Sequence, residues 1–385
     1  MPSPRRAAHV AALVLLLTAL SPAPAPAGTA RGSHRPVPPP VTEENPAMPT
    51  ADSSRLAGRR IVYSYPGPTP PPALLRAIRE GRAAGVILFG ENITSPAQLH
   101  TAVDQLRGAA AEAAEPRPLL LMTDQEGGRV RRLPGAPELS ARRTGLAADP
   151  VGEAARSGVG AARNLTSAGL NVNLAPVLDV YDSPDNFIDH RERSYSPDPS
   201  VVGTLGSAFL AAHQGLGVAA TAKHFPGLGA AARDQNTDEG PVTLPVSLDE
   251  LRARGEEPYR AAVAAGVRLV MASWAVYPAL DPARPAGLSP AAIQGELRDR
   301  LGFTGVTVTD ALEAGALTPY GDTRARAVAA ADAGMDLLLC SARDVTQGDE
   351  AAAALAAALD DGRLDRSSFL AALHRVDDLR SSLAQ

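Results

Sequence analysis

The sequence predicts an α/β fold, a (β/α)8 TIM barrel in a single domain. Eight short apolar runs alternate with Ala- and Leu-rich stretches that carry Arg, Glu and Asp at helical spacing. These runs and stretches occupy about 330 residues after residue 54. Charged or aromatic residues stand directly behind five successive runs. Strands alternating with helices imply parallel strands joined by crossovers. Eight of them fit a closed barrel, whose usual size is roughly 250 residues with room for insertions. An open doubly wound sheet is the rival arrangement.

Residues 1–27 read as an export signal. Arg5 and Arg6 form a basic start, Ala7 to Leu20 is apolar, and Ala25-Pro26-Ala27 fits a small-x-small cleavage site. The apolar stretch is short and is interrupted by His9, so no stable membrane insertion is expected and the protein is read as secreted and extracellular. Residues 28–54, rich in Pro, Gly, Ser and Thr with the tract Pro36-Val37-Pro38-Pro39-Pro40, read as a disordered linker. The barrel domain then runs over residues 55–385. Its strands are expected at Arg60–Ser64, Gly85–Phe89, Leu119–Thr123, Val172–Leu178, Val218–Lys223, Val267–Ala272, Gly305–Thr309 and Met335–Leu339. Intervening stretches such as Ala97–Ala113 and Leu248–Ala265 carry helical spacing.

The bulk numbers narrow the function. A net charge of −5 with no single-sign blocks argues against a nucleic-acid partner. The one cysteine, Cys340, makes no intramolecular disulfide. His-Glu-x-x-His and Cys-x-x-Cys metal spacings are absent, as is a phosphate-binding Gly-x-x-x-x-Gly-Lys loop, so no metal or cofactor is expected. Nothing specifies an oligomeric state. Lys223 is the only lysine among 37 basic residues. An ammonium is a compact point charge where a guanidinium is a planar fork, so a site that keeps Lys in an arginine-rich chain either uses that difference or kept the residue by chance.

Active sites of barrels collect at the C-terminal ends of the strands. Asp124 follows the third run, Asp179 the fourth, Lys223 and His224 the fifth, Trp274 the sixth and Asp310 the seventh. Asp124-Gln125-Glu126-Gly127-Gly128-Arg129-Val130-Arg131-Arg132 leaves its strand through two glycines, which open backbone shapes closed to other residues. Carboxylates and guanidinia gathered this way suit a polyhydroxylated ligand, or else a salt-bridged loop. Asp310, at the mouth of Val306-Thr307-Val308-Thr309, suits attack on an electrophilic carbon, or else a helix cap.

Taken in order, these segments resemble glycoside hydrolase family 3, in its single-barrel β-N-acetylglucosaminidase branch. The resemblance runs from about residue 60 to the end. It rests on Gly85-Val86-Ile87-Leu88-Phe89 with Asn92-Ile93, the Asp124 segment, Asn173-Leu174-Ala175-Pro176-Val177-Leu178-Asp179-Val180 and Lys223-His224-Phe225-Pro226-Gly227. Tyr277-Pro278-Ala279-Leu280-Asp281 and Gly302 through Asp310 complete it. The resemblance implies that Asp310 is the nucleophile of a retaining glycosidase. It implies that Asp124, Arg132, Arg193, Lys223 and His224 hold the terminal sugar, and that the substrate is an N-acetylglucosamine-containing carbohydrate.

The chain departs from the branch where the acid/base is expected. An Asp-x-His pair in the loop after the fifth strand is here Asp234-Gln235-Asn236, and an amide has no proton of useful pKa to exchange. Leu228 and Trp274 stand at two further expected histidines. Three loop carboxylates are the replacements to weigh: Asp238 first, on a loop expected to be mobile, then Asp234 and Glu239, or else all three are solvated loop charges. Trp274 is read as stacking on a sugar face or as packing. Two other readings stand beside the glycosidase: a sugar-binding protein on the same barrel, motivated by the missing histidine, and Schiff-base chemistry at Lys223, which needs a lowered amine pKa.

Overall fold

The computed structural model describes residues 50–383. The expected signal at 1–27 and most of the linker at 28–54 lie outside the described residues. The first helix, Ala51–Gly58, begins inside the segment read as linker. Thr50 caps it, its hydroxyl accepting from Ser53 N, and Thr50 N donates to Asp360 at 2.8 Å. A local cap and a distant anchor together order residues whose composition alone reads as linker.

Eight parallel strands close into a barrel in chain order. They are β1 (Ile61–Tyr63), β2 (Gly85–Ile87), β3 (Leu120–Thr123), β4 (Val172–Asn173), β5 (Ala219–Phe225), β6 (Leu269–Ala272), β7 (Val306–Ala311) and β8 (Leu337–Leu339). Each lies within or overlaps one of the eight apolar runs. β8 returns to β1 with Ile61 opposite Leu338 and Val62 opposite Leu339. Successive side chains alternate across a strand. Val62 therefore joins Ile87, Met122, Val172, Ala219, Leu269, Val308 and Leu337 in the barrel interior. Its neighbours Ile61 and Tyr63 turn outward against the helices. Both faces are dry, which is why the strands read as near-continuous apolar runs.

The helical stretch expected at Leu248–Ala265 is interrupted. Leu248–Glu250 and Glu257–Ala264 are α-helical, and Leu251–Gly255 between them winds more widely, with five-residue turns. The chain approaches closely at its end: a β-carbon on Gly255 would stand 2.5 Å from the Pro226 carbonyl oxygen. Its partner Gly227, at φ +129°, equally has no room for a side chain. The segment after β5 is thus seated on this helix. A hairpin not foreseen from the sequence, Gln125–Gly127 with Val130–Arg131, caps β3. Gly127 and Gly128 turn it at φ +117° and +56°.

Candidate active site

The site grows from the C-terminal ends of the strands. Behind β3, the Gln125 side chain shapes the hairpin: its amide oxygen accepts from Arg132 N and Leu133 N, both at 3.0 Å. Its amide nitrogen donates to Leu133 O and Ala136 O. Asn173, on β4, accepts from Gln125 N at 3.0 Å and ties the hairpin to the next strand. This clamp aims Asp124 and Glu126, two residues apart and so on one side of the chain, at β5.

Lys223 reaches them from β5, only 2 % exposed. Its Nζ stands 2.8 Å from Asp124 Oδ1 and 2.8 Å from Glu126 Oε1. Arg193 grips Glu126 with a two-pronged contact at 2.9 and 2.8 Å, and Arg132 lies 3.4 Å from Asp124. Burial alone would push these carboxyls up. The cations override it: Lys223 and Arg132 hold Asp124 below its ordinary value, and Arg193 and Lys223 hold Glu126 far below. Burial likewise opposes the charge on Lys223, yet Asp124 and Glu126 raise its pKa above the usual lysine value. The lowered pKa that Schiff-base chemistry would need is absent, because the ammonium sits between two carboxylates.

His224 is oriented from below. Its Nδ1 lies 2.7 Å from Oδ2 of the buried Asp179, whose other oxygen accepts from Leu228 N at 2.7 Å. That leaves Nε2 toward Arg193, 3.5 Å away. Asp310, at the end of β7, accepts from Ala311 N at 2.8 Å. Burial raises its pKa, with Asp238 adding to the rise and His224 and Lys223 opposing it.

Asp124, Arg132, Arg193, Lys223, His224, Asp238 and Asp310 line one cavity of about 410 Å³, within the ordinary range for small-molecule sites. The Asp238 loop differs from the mobile segment expected. Gly315 N donates to Asp238 O at 2.9 Å and Ala316 N to Thr237 O at 3.0 Å, so the loop is stitched to the segment that follows Asp310. Asn236 spends its side chain locally, accepting from Asp238 N and donating to Glu239.

Two candidates are corrected. Asp234 lies within a turn closed by Gln235 N to Ala232 O and is exposed, and it is not among the residues that line the cavity. Trp274 is 1 % exposed and has no face to offer a sugar. Its indole N–H donates to Ala311 O at 2.8 Å, and Gly287 packs on its ring. It braces the backbone beside Asp310 instead. Three contributors were missed. Glu126 was in view within its motif, and its spacing from Asp124 was the signal. Arg343 comes from the loop after β8 and carries no sequence signal. Glu313 also lines the cavity, three residues past Asp310, its carboxylate fixed by Ser341 Oγ at 2.7 Å and Gln347 Nε2 at 3.1 Å. Among the described residues no group of three or more His, Cys, Asp or Glu is arranged to hold a metal, and no helix is long and apolar enough to cross a membrane.

The chain is similar in sequence and fold to known proteins. The model of the glycosyl hydrolase family 3 N-terminal domain matches residues 72–379. A protein of Arthroderma benhamiae named an uncharacterized secreted glycosyl hydrolase is 45% identical over 335 residues, 86% of this chain and 94% of its own length. A β-hexosaminidase of Stenotrophomonas maltophilia is 38% identical over 272 residues, 68% of this chain and 77% of its own. Among solved structures, a family 3 β-N-acetylglucosaminidase from Paenibacillus superposes with a TM-score of 0.81 at 33% identity; the match covers 86% of this chain and 62% of that longer one. A β-N-acetylhexosaminidase from Beutenbergia cavernae superposes with a TM-score of 0.76 at 31% identity, covering 86% of this chain and 98% of that one.

Proposed function

The chain belongs to glycosyl hydrolase family 3, and from that premise we propose that it releases terminal β-linked N-acetylglucosamine with retention of configuration. Hydrolysis of O-glycosyl bonds is the chemistry of the family. The observation that carries the finer reading is that a charged cradle and Asp310 line one cavity. The Asp124–Lys223–Glu126–Arg193 cradle offers alternating donors and acceptors to a sugar, and Asp310 closes the same cavity.

In the first step the Asp310 carboxylate attacks the anomeric carbon, the glycosidic C–O bond breaks, and Asp238 gives its proton to the leaving oxygen. In the second step Asp238 takes a proton from water, the water oxygen attacks the anomeric carbon, and Asp310 leaves. Asp238 takes the acid/base part because Asn236 cannot and because Asp238 is the carboxylate of its loop on the cavity wall. His224 and Lys223 favour the ionised nucleophile against the cost of its burial. The export-like start of the sequence and the naming of the Arthroderma relative support secretion. Cell-wall or chitin fragments are the substrate source proposed.

The test is aryl release from 4-nitrophenyl N-acetyl-β-glucosaminide, set beside the matched β-glucoside and the variant Asp310→Asn. Turnover of the N-acetyl substrate that disappears in the variant supports the reading. Full activity in Asp310→Asn removes Asp310 from the mechanism. Calorimetric binding of N-acetylglucosamine without turnover overturns catalysis in favour of a sugar-binding role.

A further inference from the structure

The opposite end of the barrel carries a second cavity, of about 120 Å³, that the proposed reaction does not use. Arg59, Ala83 and Leu119 line it, each one or two positions before β1, β2 and β3, so it lies at the N-terminal ends of the strands. Five of its lining residues are arginines and two are carboxylates. Two of the arginines are accounted for: Arg55 lies 3.3 Å from both Asp52 and Glu115, and Arg79 is 2.5 Å from Glu112. One of the lining carboxylates, Glu80, is taken by Arg82 at 2.6 Å.

The remaining three, Arg59, Arg117 and Arg380, crowd around a single carboxylate that is largely buried. Arg59 pairs with Asp377, and Arg117 reaches it at 3.4 Å while also lying 3.4 Å from Glu115. Arg380 pairs with no carboxylate among the described residues. Its Nε donates to Pro118 O at 2.6 Å and its Nη2 to Arg117 O at 3.4 Å. Arg380 is 4 % exposed, yet its Nη1 is buried with no hydrogen-bond partner, as is Nε of Arg59. Nearby, Oδ1 of Asp377 is also unpartnered, but Asp377 does not line the cavity. Burial, and then repulsion from Arg117 and Arg59, lowers Arg380 to about 10 in spite of Asp377.

A guanidinium held dry beside two others is costly unless a counter-charge meets it. Arg59, Arg117 and Arg380 share one carboxylate, Asp377, that does not itself line the cavity, which leaves an excess of positive charge on the cavity wall. We propose that this cavity binds a small oxyanion of the phosphate or sulfate class, held by Arg59, Arg117 and Arg380. Guanidinium forks match tetrahedral oxyanions with paired N–H donors, which a single ammonium does not. The site is independent of the glycosidase reading and lies at the other end of the barrel.

The experiment is calorimetric titration of the purified protein with inorganic phosphate and with sulfate, at ionic strength matched with chloride. Melting temperatures are read in parallel. The expected result is saturable binding of one ion per chain and a melting temperature that climbs with the logarithm of ion concentration. Arg380→Met should abolish binding while leaving aryl-glycoside turnover intact. Arg117→Gln, a change at a partly exposed residue with little risk to folding, should weaken binding about 10-fold or more, and it carries the test if Arg380→Met does not fold. Absence of saturable binding overturns the proposal. So does binding that both variants leave unchanged and that N-acetylglucosamine displaces, which would place the ion in the sugar cavity.

Discussion

At the scale of single residues, the site is a set of charges that correct one another. Asp310 is half-buried, and desolvation together with the nearby Asp238 raises its pKa. A nucleophile must be ionised, so the acid limb of kcat/KM is expected above the ordinary aspartate value of 3.8. Asp238 must be protonated to act as the acid, so Asp238→Asn should remove the basic limb of the profile and leave the acid limb in place. The same variant should slow poor leaving groups by about 10² to 10⁴ and spare 4-nitrophenyl. A pH profile that keeps its basic limb, with uniform loss across leaving groups, would remove Asp238 from the acid/base part. A raised carboxyl pKa also means that the folded protein disfavours the charge. The cost is absent below the unfolded pKa and full above the folded one. Asp310→Asn is therefore expected to melt higher than the parent at pH 7; a lower melting temperature would contradict the burial argument. Most of these residues were legible because each follows a strand. What was not legible is the partnership, since Lys223 meets Asp124 across 99 positions of chain, and the burial of Trp274, which only its contact with Ala311 reveals.

At the scale of elements, the eight strands were legible because each is buried on both faces and leaves an uninterrupted apolar run. The hairpin behind β3 was not: strands of three and two residues are too short to show a period. The loop from Asp234 to Glu239 was misread as mobile because its polar composition does not disclose its backbone hydrogen bonds to Gly315 and Ala316. That docking has a weak point. A β-carbon on Gly315 would stand 2.4 Å from the Glu239 carbonyl. Gly315→Ala should therefore push the loop off its seat, lowering kcat for poor leaving groups while leaving sugar affinity nearly unchanged. Equal activity across a leaving-group series would show that the loop's seat does not matter to proton transfer.

At the scale of the whole molecule, the proposed chemistry and the arginine-lined cavity lie at opposite ends of one ring. The barrel was legible from the count and order of the runs. The boundary at residue 54 was not, because the Ala51–Gly58 helix is fixed by contacts with residues some 300 positions away. A chain beginning at Arg60 loses the burial of Leu56 and Ala57 and the Arg59–Asp377 ion pair, worth about 1.5–3 kcal/mol for the leucine alone. Its melting temperature should fall by several degrees. The pairing of β1 with β8 has a consequence for synthesis. Until Leu338 and Leu339 leave the ribosome, β1 has one bare edge, and every strand made before them waits in an open sheet. Translation therefore holds this protein as an incomplete arc for nearly all of its length, and the last few strands decide when the arc becomes safe from sticking to its neighbours.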